Sequence, residues 1–399
     1  MAVVDQGPRW RSEPPASDRH APRRHLGVYL TAAVLLTALG RLVIVWIYYD
    51  FDHVSTDVED FLKALYDPRI PLEPELFNPY VWAFTVTLLV TGLVAALNRR
   101  AARGAALLCG FVMSFTAVRE LIGLATSDQF RDWYVGGNDL EFVIIASWVV
   151  VLLFSATVLV MMLRAGDRPA GGAGARPAPG SQLYVIAGGL MVLLGLALAG
   201  WIVRMLTRDG ADTGRYFKGL VDAGESPFPV SAGTTEYYEA VFVVALLVLG
   251  ALALMRRPVV RGAAMAILGV YLYINVRRMI GMTISDYDRN GPPTDPELIP
   301  FPTWDMYTED LEGWLILATY VGGSLIAVAV IAMMLRAPEA KAGADAPLGP
   351  VGGYVPPQPA ASPVPERQQY AAPPAAVQMP PPPSSPPPGP GPSGRGPEG

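Results

Sequence analysis

The feature that most constrains this sequence is a long apolar stretch that occurs twice. Residues Gly104–Asp128 read GAALLCGFVMSFTAVRELIGLATSD, and residues Gly262–Asp286 read GAAMAILGVYLYINVRRMIGMTISD. Both copies begin with Gly-Ala-Ala, carry Val-Arg-x-x-Ile-Gly in their second half and end in Ser-Asp. A match this long predicts an internally duplicated chain, in which each half is one structural unit.

Further matches follow in the same order along the chain. The pentapeptide Met-Met-Leu-Arg-Ala occurs at Met161–Ala165 and again at Met333–Ala337, and Asp-Leu-Glu occurs at Asp139–Glu141 and Asp310–Glu312. The sequence therefore predicts two repeats, residues 26–164 and 183–336, which are joined by a Gly- and Pro-rich linker at 165–182.

Each half contains four apolar runs that are long enough to span a membrane. Hydrophobic residues make up 52% of the chain and charged residues 16%, against roughly 25% charged residues in soluble domains. Runs of this length reach across a hydrocarbon core of about 30 Å as helices. We expect an all-α integral membrane protein with eight transmembrane helices, at Leu26–Tyr49, Tyr80–Leu97, Gly104–Thr126, Phe142–Leu163, Leu183–Leu206, Tyr238–Met255, Gly262–Ile284 and Trp314–Leu335.

The short loops predict the orientation of these helices. Arginines cluster in the turns at 98–103 and 256–261, whereas the loops 50–79, 127–141, 207–237 and 285–313 carry most of the acidic residues. By the positive-inside rule the arginine turns are cytoplasmic, and the acidic loops form an extracellular cap. Because four spans is an even number, the two repeats run parallel, related by an axis along the membrane normal.

Both ends of the chain are predicted to be cytoplasmic tails. Residues 1–25 are polar and arginine-rich, and residues 337–399 are so rich in proline, glycine and alanine that we expect them to be disordered. Arginine outnumbers lysine by 27 to 3, a usage that suggests a bacterium with a high GC content. Together with the spans, it leads us to expect a multi-pass protein of the bacterial plasma membrane.

Amphipathic segments lie within the acidic loops. The segment Asp57–Tyr66 places Val58, Phe61, Leu62 and Leu65 on one helical face, and Tyr216–Val221 is its counterpart in the second half. We expect both to be short helices at the outer membrane interface.

Charged side chains inside the spans are the first candidates for function, because ionisable groups within a membrane are costly. These candidates, with one neighbouring amide, are Arg41, Arg119, Glu120, Asn275, Arg277 and Arg278. One interpretation is an outward-open cavity that binds an anionic or zwitterionic molecule. The other is a set of buried ion pairs that fix helix register. Neighbouring residues on a helix point about 100° apart, so we expect Arg119 and Glu120 to face different partners. Glu120 aligns with Arg278, and these two would pair if their helices meet.

The second repeat is the more polar one at these positions. Tyr271, Asn275 and Arg278 form a polar stripe at helical spacing, whereas Met113 and Ala117 precede Glu120 in the first repeat. Any site of this kind is therefore expected to be asymmetric and to lie in the second half.

A separate motif follows the second copy of the repeated stretch. Asp286, Asp288, Asn290, Gly291 and Glu297 satisfy the pattern D-x-[DN]-x-[DN]-G-x₅-E, which resembles the calcium loop of an EF-hand. The resemblance implies calcium as a cofactor, with oxygen ligands from Asp286, Asp288, Asn290 and Glu297. An ordinary turn in an acidic loop is the alternative, since prolines follow within the motif.

Signatures of enzymes are missing from the sequence, which contains no phosphate-binding Gly-Lys loop, no H-E-x-x-H and no G-x-S-x-G. A single cysteine, Cys109, excludes a disulfide within the chain. We expect a non-enzymatic protein that binds or scaffolds another membrane or envelope protein through its acidic cap, with no nucleic-acid partner. The alternative is a transporter or channel for a small anionic or zwitterionic solute, with an arginine-lined outer vestibule.

Overall fold

The computed structural model describes residues 25–54, 58–67, 79–135, 141–165, 181–225, 230–284 and 307–337. All regular structure within these ranges is helical. They belong to a unit formed by residues 1–344, and a second unit, residues 345–399, lies outside the described residues. The predicted tails, most of the linker and much of the acidic loops also lie outside them.

The first half contributes six helices. They are α1 (Leu26–Val54), α2 (Val58–Ala64), α3 (Pro79–Ala96), α4 (Ala101–Thr126), α5 (Asp128–Val135) and α6 (Glu141–Arg164). The second half contributes five, α7 (Ser181–Leu206), α8 (Thr213–Gly219), α9 (Val230–Leu254), α10 (Val260–Ile284) and α11 (Leu311–Arg336). A short 3₁₀ turn, Ala223–Glu225, follows α8.

Eight of the described helices are long and apolar enough to cross a membrane: α1, α3, α4, α6, α7, α9, α10 and α11. Their most apolar windows have mean hydropathies from 1.3 to 2.7. A helix satisfies its own backbone hydrogen bonds, which is what a hydrocarbon environment demands. The prediction of an all-helical chain with eight helices that are fit to cross a membrane is therefore confirmed for the described residues.

Two tight turns join α3 to α4 and α9 to α10, and both have the same geometry. Asn98 and Arg256 take positive φ angles of 52° and 58°, which non-glycine residues adopt uncommonly. The next amide in each turn donates to a carbonyl five residues back, Arg99 to Val94 at 3.2 Å and Arg257 to Leu252 at 3.0 Å. This is the hydrogen-bond pattern of a Schellman helix ending. We call this end of the bundle the turn end, and the opposite end, where α4 and α10 finish, the loop end.

The same pairs of helices pack together in each half. In the first half α1 packs on α3 and α6, and α4 packs on α3 and α6; in the second, α7 packs on α9 and α11, and α10 packs on α9 and α11. The two halves meet where α10 packs on α4 and α3. A Cβ atom on Gly104 would collide with the carbonyl oxygen of Val259, and one on Gly262 with that of Ala101. Glycine at both positions lets the two helix backbones approach closely.

Nearer the loop end, aromatic rings continue this contact between the halves. Tyr80 of α3 and Tyr238 of α9 stack with ring centroids 5.1 Å apart and an interplanar angle of 12°. Phe84 stacks on Tyr238 at 5.3 Å, and Phe242 lies 5.9 Å from Tyr80. Tyr80, a residue of the first half, is thereby buried within the core of the second half.

The short helices α2 and α8 lie at the loop end and contact the ends of the spans. In α2 the packed face consists of Phe61, Ala64 and Leu65, with Phe61 in an edge contact to Trp82 at 5.2 Å. Val58 and Leu62, the other two residues of the predicted apolar face, are exposed. Ala64 is fully buried, and its carbonyl oxygen accepts a hydrogen bond from Arg277 of α10.

Candidate functional site

A cavity of about 240 Å³ lies in the second half, toward the loop end, among α7, α9, α10 and α11. Tyr80 of α3 closes one side of it. Its walls are amphipathic, with aromatic and aliphatic side chains interrupted by charged groups. Ligand sites commonly combine an apolar lining with a few placed polar groups in this way.

The floor of the cavity carries two buried polar groups on α10. Tyr271 is 4% exposed and Asn275 is 1% exposed. Neither the Tyr271 Oη nor the Asn275 Nδ2 atom makes a well-formed hydrogen bond within the described part of the chain, although the two groups lie next to each other. The Tyr271 ring is held edge-on to Phe242 at 5.6 Å, and its hydroxyl sits against Gly323 of α11. Glycine at 323 leaves space for that hydroxyl, because a Cβ there would overlap it.

Arg278 stands one helical turn above Asn275 and forms the middle of the cavity wall. Its Nη2 donates to Oε1 of Glu239 at 2.8 Å and to the Tyr80 hydroxyl at 3.2 Å. Its guanidinium also lies over the ring of Tyr320, with Cζ 5.4 Å from the centroid, in a cation–π contact. The Arg278 and Glu239 side chains remain 28% and 40% exposed, so both face open space.

A second ionic cluster lies at the rim of the cavity. Glu312, in the first turn of α11, accepts hydrogen bonds from Arg204 at 3.1 Å and from Arg208, both near the end of α7. Arg204 lies in the last turn of α7 and Arg208 two residues beyond its end, and one carboxylate bridges both. Just below the rim, Trp201 Nε1 donates to Thr319 Oγ1 at 3.0 Å. These contacts tie α7 to α11 across the cavity mouth.

Tyr307, which precedes α11, adds an aromatic contact behind the cavity wall. Its ring meets that of Tyr320 edge-on at 6.4 Å. Burial, with a smaller effect from Tyr320, raises the pKa of the Tyr307 hydroxyl to about 12. The Tyr307 hydroxyl is therefore a neutral group throughout the physiological pH range.

In the first half, the matching charged pair is packed into protein. Arg119 Nη1 contacts Oε1 of Glu120 at 2.7 Å, and the two side chains are 3% and 8% exposed. Arg119 also donates from Nε to the carbonyl oxygen of Gly219 at 2.8 Å and lies over the ring of Tyr237 at 5.0 Å. The expectation that the two neighbours face different partners is wrong, because the long Arg119 side chain bends back to Glu120.

Glu120 and Arg278 do not pair with each other, since each has a partner nearer at hand. Glu120 is engaged by Arg119, and Arg278 by Glu239. The structure thus brings two of the candidate residues, Asn275 and Arg278, into the cavity. It places Arg119 and Glu120 in a packed ion pair.

The remaining candidate arginines lie apart from the cavity lining. Arg277 Nε donates to the carbonyl oxygen of Ala64 at 3.1 Å, at the end of α2. Arg41 is exposed on α1. The expected vestibule lined by four arginines is therefore not the cavity that the structure describes.

Several groups that the cavity uses are not among the residues predicted from the sequence, namely Tyr80, Trp201, Arg204, Arg208, Thr319 and Tyr320. The i, i+4 spacing of Arg204 and Arg208 at the end of α7 is a local signal that points toward a shared partner. That this partner is Glu312 depends on how two distant helices are rotated against each other, which no local pattern encodes.

The proposed calcium ligands Asp286, Asp288, Asn290 and Glu297 lie outside the described residues. Within the ranges that the structure covers, no three His, Cys, Asp or Glu side chains converge to hold a metal ion.

Comparison with known proteins yields no match, since no protein-family model, curated protein or solved structure is significantly similar to this chain.

Proposed function

We propose that this protein is a non-enzymatic membrane protein that binds a small anionic or zwitterionic solute in the cavity of its second half. The unpartnered Tyr271 hydroxyl and Asn275 amide carry the proposal. A buried polar group without a partner costs roughly 1–3 kcal/mol, a cost that phenylalanine and leucine would avoid at these positions. Polar groups kept at such a cost, beside Arg278 in a cavity, favour a ligand that completes their hydrogen bonds.

The same proposal includes the arrangement and orientation of the bundle. We infer two parallel four-helix repeats, supported by the reciprocal contacts of Gly104 and Gly262 and by the Tyr80–Tyr238 stack. The arginine-rich turn end then faces the cytoplasm of a bacterial cell, and the cavity opens outward below the loop cap. A ligand would enter from the extracellular side.

Binding without passage through the membrane fits the cavity better than transport does. Toward the turn end, the hydroxyl of Tyr271 abuts Gly323, which in turn lies against Leu194. Leu194 is fully buried, so the floor is sealed by packed side chains. The acidic loop that would recruit a partner protein, residues 285–313, lies largely outside the described residues, so the cavity and not that loop supports this proposal.

The substitution Tyr271→Phe tests the proposal through two quantities, the free energy of unfolding and the affinity for ligands. We expect Tyr271→Phe to raise the free energy of unfolding by about 1 kcal/mol, because the hydroxyl has no partner to lose. The same change should weaken the binding of small organic acids or amino acids, assayed one by one by calorimetry on the purified protein in lipid nanodiscs.

A neighbouring tyrosine supplies the control. The Tyr273 hydroxyl donates to the carbonyl oxygen of Leu65 at 2.8 Å, so Tyr273→Phe should destabilise the protein by about 1 kcal/mol and leave cavity binding intact. If Tyr271→Phe destabilises the protein as much as Tyr273→Phe does, the Tyr271 hydroxyl is structural and the proposal is wrong.

A further inference from the structure

We infer that the ligand of this cavity is a small monocarboxylate with an apolar body. The inference rests on the proposed binding function, and it goes further by choosing among anions, zwitterions and cations. Three properties of the cavity decide the choice: its balance of charges, its supply of hydrogen-bond donors and the state of its carboxylates.

The described lining of the cavity has one positive charge in excess. Among the described lining residues there are three arginines, Arg204, Arg208 and Arg278, and two glutamates, Glu239 and Glu312. Arg204 and Arg208, which share Glu312, are about half exposed, so this excess acts at the mouth of the cavity and favours entry of an anionic ligand over a cationic one.

Donors predominate among the unpaired polar atoms of the described lining, with Oε2 of Glu239 as the exception. Both described hydrogen bonds of Arg278 come from Nη2, which leaves Nε and Nη1 to offer to a ligand. Asn275 Nδ2 is able only to donate, and the Tyr271 hydroxyl is able to donate as well. A carboxylate accepts through two oxygens and matches the planar fork of a guanidinium, so one such group can engage the arginine together with the floor.

Each carboxylate of the described lining already accepts from an arginine, which argues against an ammonium group on the ligand. Glu312 receives Arg204 and Arg208 on its two oxygens, and Glu239 receives Arg278. A zwitterion would have to place its positive charge on Oε2 of Glu239, beside the Arg278 guanidinium, whereas a simple carboxylate avoids this repulsion.

The rest of the lining sets the size and polarity of the body. Leu198, Ile202, Ile274, Ile316 and Phe242 give the ligand an apolar surround. The volume of about 240 Å³ falls below the roughly 300–1,000 Å³ of sites for drug-sized molecules. A short branched or cyclic acid fits this space better than a membrane lipid does.

The experiment compares four probes of similar shape by calorimetry on the full-length protein in nanodiscs. They are 4-methylpentanoate, the neutral 4-methylpentanamide, the cationic 3-methylbutylamine and the zwitterionic L-leucine. We expect the acid to bind at least about tenfold more tightly than the amide or the amine, because a charge-assisted bond is lost in each. Leucine should bind no more tightly than the acid.

Two variants of the protein test whether the acid binds in this cavity. Asn275→Leu should lower the affinity for 4-methylpentanoate at least about tenfold. Gly322→Ala, next to open space, should leave that affinity unchanged. Tighter binding of leucine or of the amine, or equal binding of the amide, would overturn the inference and leave the cavity as a binding site of another specificity. If none of the four probes binds at millimolar concentration, the monocarboxylate assignment is wrong. The proposed function is decided separately, by the stability of Tyr271→Phe.

Discussion

Arg119 donates a hydrogen bond from Nε to the carbonyl oxygen of Gly219 at 2.8 Å. An arginine of the first half thus caps the C-terminus of α8 in the second half. Arg277 of the second half does the same for the first, with its Nε 3.1 Å from the carbonyl oxygen of Ala64 at the end of α2. A guanidinium satisfies carbonyls that a helix leaves open at its C-terminus and complements the helix dipole there. The two short helices are thus each held by the opposite half.

The Arg119–Glu120 pair predicts a strongly non-additive pair of substitutions. Arg119→Leu leaves the Glu120 carboxylate buried without its partner and should lower the free energy of unfolding by about 3–5 kcal/mol. The double change Arg119→Leu with Glu120→Leu should recover most of this loss. Unfolding in mixed micelles measures both. A double variant as unstable as the single one would show that the lost contact to Gly219, and not the unpaired charge, is responsible.

Removing the Arg277 contact should loosen α2 and spare the cavity. In Arg277→Gln we expect faster hydrogen exchange across residues 58–67, because the Nε bond to Ala64 is lost. The affinity for 4-methylpentanoate should change less than about threefold, since Arg277 is not part of the cavity lining. Arg41→Gln, an exposed change on α1, is the control and should alter neither quantity. A large loss of affinity in Arg277→Gln would place α2 in the binding mechanism.

The close contact between α4 and α10 makes Gly104 sensitive to a single methyl group. Gly104→Ala places a Cβ against the carbonyl oxygen of Val259, and overpacking of this kind costs about 1–3 kcal/mol. Gly269→Ala on α10 meets open space and should be neutral or slightly stabilising, since alanine favours helices. Thermal unfolding compares the two. Equal stability would show that the halves do not pack at this contact.

The cavity floor offers a steric test with a neighbouring control. A Cβ at Gly323 would overlap the Tyr271 hydroxyl, so Gly323→Ala should push that ring into the cavity. The affinity for 4-methylpentanoate should then fall at least about tenfold. Gly322→Ala has no neighbour within 4 Å and should bind as the unchanged protein does. Calorimetry in nanodiscs measures both affinities. Unchanged affinity in Gly323→Ala would place the ligand away from Tyr271.

The helices could be predicted from the sequence because hydropathy reports directly on membrane burial, but their ends could not. The eighth span was predicted from Trp314, and the helix begins at Leu311, where Asp310 caps it by accepting from Gly313 N at 2.6 Å. Likewise, α9 begins at Val230 and not at Tyr238. The limits of an apolar run mark which residues lie within the lipid. The helix itself continues through polar residues until a cap or a turn ends it.

The candidate site was accessible to sequence reasoning only within one helix. The stripe of Tyr271, Asn275 and Arg278 follows from helical spacing, and the structure places all three on one cavity. Their partners on other helices, such as Glu239, depend on helix rotation and on tilt, which are set by packing across the whole bundle. For the same reason, Arg277 and Arg278 look equivalent in the sequence but perform different tasks.

The measurement that tests the central claim most directly is the water accessibility of the cavity, read from single cysteines. The native Cys109 is 1% exposed and should not react with a small, charged, membrane-impermeant thiosulfonate added outside the cell. We predict that Thr319→Cys, in the cavity wall, reacts readily and is protected by 4-methylpentanoate. Val321→Cys, exposed on the outer surface of the same helix and expected to face lipid, should stay unreactive. Failure of Thr319→Cys to react, or equal reaction at Val321→Cys, would contradict an outward-open binding cavity.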